Sequence, residues 1–172
     1  GALMISISCS HPDVEEFIGI KTDLNKVTKA NISIRITDDF MQAVKKNQPY
    51  TLNYTRLETG EQITKEVNAK ELFHKIAETN WDFAEPGALF WDTIRSWNLL
   101  SNTKEFEYAG VNPCAEEPLP AGGSCLLGSL NLTNFVNDPF TESAAFDFDG
   151  FKQAVCIAVR GLNDVLEEGL PL

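Results

Sequence analysis

Apolar and polar residues alternate from Leu3 to Cys9 (Leu-Met-Ile-Ser-Ile-Ser-Cys), which predicts a first strand. Ser10 stands where a helix N-cap is expected. Pro12 and Asp13 suit the first turn, and Val14, Phe17 and Ile18 follow at helical spacing up to Gly19. A second alternating run, Asn31 to Ile36, predicts another strand. Thr37 can then cap a helix with Asp38 and Asp39 in its first turn and Lys45 and Lys46 in its last, charges that complement the helix dipole. Its apolar face is Phe40, Met41 and Val44. Runs from Tyr50 to Tyr54 and from Gln62 to Val67 flank Glu58-Thr59-Gly60-Glu61 and predict a β-hairpin excursion.

Asn68, followed three residues later by Glu71, predicts the start of a helix reaching about Thr79, with Leu72, Phe73, Ile76 and Ala77 inside. Glu85-Pro86-Gly87 breaks the chain. Helical spacing of Phe90, Ile94 and Trp97 predicts a buried face on a further helix from Ala88 to Leu99. Proline and glycine crowd the stretch from Tyr108 to Gly123, which reads as loop. A turn into a strand or short helix follows from Ser124 to Phe135, and then a second loop from Asn137 to Asp149. The last element is an amphipathic helix from Phe151 to Leu166. Phe151, Val155, Ala158, Leu162 and Val165 lie on one side, and Gly169 and Pro171 stop it. Alternating strand and helix signals predict the α/β class.

Composition narrows the function classes. The chain has 172 residues, 43% hydrophobic and 23% charged, as expected of a globular domain. The net charge of −11 repels phosphate backbones, so no nucleic-acid partner is expected. No apolar run approaches the roughly 18 residues that cross a membrane. The opening residues Gly1 to Met4 enter a strand at once, as expected of a segment cut from a longer chain. Cysteines stand at 9, 114, 125 and 156, without a C-x-x-C. Cys9 and His11 form a lone C-x-H with no second ligand pair, so no metal site is expected. Reduced thiols in a cytoplasmic protein are the expectation, with Cys9 and Cys156 as packing residues.

Asn112-Pro113-Cys114-Ala115-Glu116-Glu117-Pro118-Leu119-Pro120 carries the candidate chemistry. An amide, a thiol and a carboxylate occupy alternate residues. In an extended loop Asn112, Cys114 and Glu116 face one substrate together, while Glu117 turns away. The amide can bind hydroxyls, the thiol can perform one-electron or nucleophilic chemistry, and the carboxylate can move a proton. The bland alternative is an irregular connector around a structural cysteine.

The longer run from Asn112 to Leu132 closely resembles the finger loop of ribonucleotide reductase large subunits. Pro113 after Asn112, with Cys114 next, is most like the adenosylcobalamin-dependent class II type. Gly1 to Met4, His11 to Ile18, Asn31 to Ile34, Glu85 to Trp91 and Ala158 to Leu166 resemble the same family in the same order. The resemblance implies a partial segment of a ten-stranded α/β barrel. Residues 1–172 would form one fragment of the catalytic barrel domain, with the finger loop over about 108–125 and the second barrel half starting over about 126–172. It implies that Cys114 becomes a thiyl radical that takes the ribose 3′ hydrogen, that Glu116 accepts the 3′-hydroxyl proton, and that Asn112 hydrogen-bonds the ribose hydroxyls. Cys125 would be one of two reducing cysteines, its partner lying upstream of the segment resembled by Gly1.

The implied partners are a ribonucleotide substrate, nucleotide effectors and a thioredoxin-like or dithiol reductant, with a homo-oligomeric assembly as a further expectation. The implied cofactor is adenosylcobalamin or, as the alternative, a metal-bearing radical subunit. None is expected bound to this segment, which alone is expected to be inactive. Two competing readings are a non-catalytic structural or interaction module that retains the loop, and a two-thiol redox protein using Cys114 and Cys125 without the C-x-x-C that lowers a thiol pKa.

Overall fold

A computed structural model describes residues 2–23 and 25–169. They fall into two compact units, divided between Gly123 and Ser124. Gly1 and the Pro171 stop signal lie outside the described residues.

The first unit is built on a parallel three-stranded sheet, β1 (Leu3–Ser8), β2 (Ala30–Ile36) and β5 (Gly87–Phe90), in that spatial order. Between them run α1 (Val14–Ile18), α2 (Asp38–Lys46), the hairpin β3 (Pro49–Thr55) and β4 (Gln62–Asn68), and α3 (Ala69–Phe83). α4 (Trp91–Ser96) and the pair β6 (Tyr108–Val111) and β7 (Pro118–Pro120) complete the unit. A mixed α/β class, with helices between parallel strands, is therefore observed, and the β-hairpin stands where the alternation predicts it.

The sheet has two unlike faces because its register aligns like residues. Ile5 pairs with Ile32 and Ile7 with Ile34, whereas Met4 pairs with Asn31, Ser6 with Ser33 and Ser8 with Arg35. Side chains alternate along a strand, so one face is aliphatic and the other carries Ser6, Ser8, Asn31, Ser33 and Arg35. The aliphatic face packs on the helices. Ile34 and Ile36 join Val14, Ile18, Phe40, Leu52, Leu72 and Ile76 in one buried cluster. Phe40 is fully buried, its ring edge-on to Tyr50 with centroids 5.0 Å apart. Burying such a side chain contributes roughly 1.5–3 kcal/mol, so this cluster dominates the unit's stability.

Capping follows the sequence in one helix and departs from it in two. Asn68 Oδ1 accepts the Glu71 N–H at 3.0 Å, the expected cap of α3. Ser10 does not cap α1, which begins after Asp13. His11 Nδ1 instead accepts the Asp13 N–H at 3.1 Å, and the Ser10 carbonyl accepts Asn53 N–H at 2.7 Å to tie the hairpin to β1. Thr37 precedes α2 but makes no side-chain cap; the Asp38 N–H is taken by Asp92 Oδ2 from α4 at 2.7 Å.

The expected helix from Ala88 to Leu99 is corrected most. Residues 87–90 pair with β2 from Ser33↔Gly87 to Ile36↔Phe90, and only Trp91–Ser96 is helical. The open edge of β2 supplies backbone partners that local helical spacing cannot reveal. Phe90 and Trp97 are 52% and 76% exposed, so they do not form the expected buried face; Trp91 is buried instead. The entry to β5 is held by Glu85, whose Oε1 accepts the Ile32 N–H at 2.8 Å and whose other oxygen pairs with Lys21. α3 also runs four residues past Thr79, and Ala77 on it is exposed.

In the second unit, residues 132–135 form a single 3₁₀ turn, and β8 (Val136–Asn137) pairs with β9 (Ala145–Phe146) inside the expected loop. The helix α5 (Phe148–Gly169) is longer than predicted. Asp147 Oδ1 accepts the Gly150 N–H at 2.9 Å at its start. Phe135, Phe146 and Phe151 cluster there, with centroids 5.3–6.2 Å apart. The half-buried face of α5 is Phe151, Ala154, Ala158 and Leu162, whereas Val155 and Val165 are exposed. Cys156 is exposed as well, which corrects the expectation that it packs in a core.

Candidate active site

The stretch expected to be loop is instead a tight β-hairpin. β6 and β7 pair through Gly110↔Leu119 and Val111↔Pro118, which leaves residues 112–117 as the turn. Pro118 and Pro120 lack the N–H that a central strand needs, which fits so short a strand. The turn closes on itself. Asn112 N–H donates to the Glu117 carbonyl at 3.0 Å, and Ala115 N–H donates to the Asn112 carbonyl at 3.0 Å. Asn112 Oδ1 accepts the Glu117 N–H at 3.0 Å. This side-chain bond reaches five residues along the chain and clamps the mouth of the turn beside the backbone pair.

These bonds replace the extended geometry from which the alternation was read. Ala115 has φ +68°, a left-handed conformation that reverses the chain between Cys114 and Glu116. Alternation therefore neither aligns Cys114 with Glu116 nor turns Glu117 away. Glu116 and Glu117 are both exposed, so the choice between them as base rests on the family resemblance. Asn112 is half-buried. Its side-chain carbonyl is committed to the turn, which leaves the amide N–H groups for a ligand.

Cys114 is exposed near the tip. The Pro113 carbonyl before it accepts Asn31 Nδ2 at 2.6 Å, a bond spanning 82 residues of sequence. The turn therefore docks on the polar face of the sheet. Asn31 is a site residue that strand alternation does not single out, since Ser33 and Arg35 are equally polar members of the same alternating run.

Arg35 lies on the same face, its guanidinium 5.3 Å from the centre of the Trp91 ring. Arg35 Nε is buried and without a hydrogen-bond partner among the described residues. Burial holds this group below the usual guanidinium range, with the nearby Cys9 acting in the opposite direction. Cys9 itself is fully buried, 3.5 Å from Thr37 Oγ1, as expected of a packing cysteine. Cys125 lies in the second unit, exposed, in an irregular segment. No cluster of three or more metal-ligating side chains occurs among the described residues.

The family model described as "Ribonucleotide reductase, barrel domain" matches residues 1–172, the full length of the sequence. The chain belongs to the ribonucleotide reductase barrel-domain family. It is 36% identical, over 97% of its length, to the vitamin B12-dependent ribonucleoside-diphosphate reductase of Thermoplasma acidophilum, covering 21% of that protein. It is 33% identical, over 94% of its length, to the vitamin B12-dependent ribonucleotide reductase of Streptomyces coelicolor, covering 19% of it. A vitamin B12-dependent ribonucleoside-diphosphate reductase of Mycobacterium tuberculosis is 34% identical over 97% of the chain, which covers 22% of that relative. The chain thus spans about a fifth of the length of these curated relatives.

Proposed function

We propose that this chain is the thiol-bearing part of a ribonucleotide reductase that converts ribonucleotides to deoxyribonucleotides by radical chemistry. The observation that carries this reading is Cys114, exposed on a closed turn whose preceding carbonyl is bonded to the sheet. A ribose C3′–H is not acidic, so a base cannot open it; hydrogen-atom transfer to sulfur can. Cys114 as thiyl radical takes the 3′ hydrogen, becoming a thiol, and returns that hydrogen at the end of the cycle. Glu116 takes the 3′-hydroxyl proton, and the Asn112 amide N–H groups hold the hydroxyl oxygens. The 2′-hydroxyl leaves as water with a proton from the reducing thiol pair, whose second proton ends on C2′. Cys125 and a second thiol supply the two electrons and close to a disulfide, which a thioredoxin-like or dithiol reductant reopens.

The cofactor is adenosylcobalamin, on the strength of the relatives' names and of Pro113 beside Cys114. When bound, it supplies the one-electron oxidation that starts each cycle. An exposed thiol without a hydrogen-bond partner among the described residues suits such delivery from outside the chain. Cys114 is the residue assigned to receive it, and no residue of this chain is assigned to holding the cofactor. The three parallel strands belong, on this reading, to a ten-stranded barrel, with the polar sheet face turned inward to the turn.

The test is deoxyribonucleotide formation by the full-length protein, given a ribonucleotide and a dithiol, with and without adenosylcobalamin. Product formed only with the cofactor supports the reading. No product, with or without a metal-radical subunit in its place, moves the weight to a non-catalytic module that retains the loop.

A further inference from the structure

Resting on the function proposed above, we propose that Asn31 is the positioning residue that sets where the Cys114 sulfur stands. Its Nδ2 donates to the Pro113 carbonyl at 2.6 Å, and that carbonyl carbon is bonded directly to the Cys114 nitrogen. The turn's other hydrogen bonds among the described residues are internal: Asn112 to Glu117, twice, and Ala115 to Asn112. Internal bonds keep the turn's shape but leave it free to pivot on the short β6–β7 pair. Pro113 has no N–H of its own, so its carbonyl is the one backbone group through which this residue can be tethered.

The tether has a firm foundation. Asn31 is paired with Met4 in the β1–β2 ladder, and the next residue, Ile32, has its N–H held by Glu85 Oε1 at 2.8 Å. Glu85 is in turn ion-paired with Lys21. A side chain two bonds long on a fixed strand has little freedom, so its amide acts as a post on the polar sheet face. Asparagine suits the position because it is short and donates without charge. Leucine has nearly the same shape and no donor. Aspartate would set a carboxylate against a carbonyl oxygen.

The test uses the full-length protein with Asn31→Leu, Asn31→Asp and Asn31→Gln. Turnover and KM are measured alongside the rate at which iodoacetamide alkylates Cys114, read by peptide mapping. Displacing a reacting group by about 1 Å costs on the order of 100-fold in rate. The expected result is therefore a kcat lowered by about tenfold or more in the Leu and Asp variants. KM stays within about twofold, the melting temperature is unchanged, and the Cys114 alkylation rate is altered. Partial recovery is expected in Gln, which keeps the donor.

A purely structural role would lower the folded fraction without changing the alkylation rate of folded protein or the division between kcat and KM. That outcome, or unchanged kcat in folded Asn31→Leu, overturns the inference. If the Leu variant does not fold, the Asp and Gln variants carry the same comparison. An inactive wild type would sink the proposed function instead; the alkylation rates would then still decide whether Asn31 holds the thiol.

Discussion

Gly87→Ala should destabilise the chain, and the cause should be a single atom on the neighbouring strand. Gly87 does not need a left-handed backbone, so alanine brings no strain of φ. Its Cβ would instead stand 2.7 Å from Ser33 Oγ. Ser33 is 4% exposed on β2, which is paired on both sides, so relief requires its side chain to turn within a packed site or the strands to part. Such overpacking costs about 1–3 kcal/mol. Glycine's extra freedom in the unfolded chain offsets roughly 0.5–1 kcal/mol of that. The expected net loss is about 1–2 kcal/mol in urea unfolding followed by tryptophan fluorescence, with an unchanged slope.

The decisive arm is the same substitution in Ser33→Ala. With Oγ gone, the nearest remaining contacts are Ile32 O and Ser33 Cβ at 3.8 Å, an ordinary separation. Gly87→Ala should then be neutral or slightly stabilising, a coupling of about 1 kcal/mol or more between the two positions. Equal losses in both backgrounds would refute the contact as the cause.

Thiol reactivity should divide the cysteines. Cys114, Cys125 and Cys156 should react with an aromatic disulfide reagent in native protein, and Cys9 only after unfolding; a fast-reacting fourth thiol would contradict its burial. Glu15 has its carboxyl held below the ordinary range, first by its hydrogen bond with Lys65 and then by the Lys65 and Lys75 charges, against a burial effect that raises it. Its stabilisation is present above the unfolded pKa and fades as pH falls through the lower folded value. Glu15→Gln should therefore cost less than about 1 kcal/mol at neutral pH, since the pair is solvent-screened, and nothing in acid below that value. A difference that grows on acidification would contradict the assignment.

What local pattern carries, the sequence shows. The alternating runs of β1 and β2, the charges at both ends of α2, the Asn68 cap and the β3–β4 hairpin all depend on neighbours within a few residues. Elements set by distant partners were not legible. Gly87 to Phe90 has helical spacing but becomes a strand because β2 offers an open edge, and α2 takes its cap from Asp92, 54 residues away. The candidate site divides the same way. Asn112, Cys114 and Glu116 are visible as chemistry in a row, and the family resemblance gives them roles. The turn geometry that places them is not visible, because an alanine at φ +68° and a side-chain-to-backbone clamp leave no periodic trace. The role of Asn31 leaves no local trace either, because its partner lies 82 residues away.

In the proposed function the Cys114 sulfur opens the ribose C3′–H bond. The deciding measurement uses substrate deuterated at C3′ and the full-length protein, wild type and Cys114→Ser, each supplied with adenosylcobalamin and a dithiol. Wild type should form deoxyribonucleotide with a slowed rate on the deuterated substrate. The serine variant should fold and form none, since an O–H bond is too strong for its radical to be generated in place of the thiyl. Deoxyribonucleotide formed by Cys114→Ser at a rate near that of wild type would rule out the Cys114 sulfur as the atom that opens this bond.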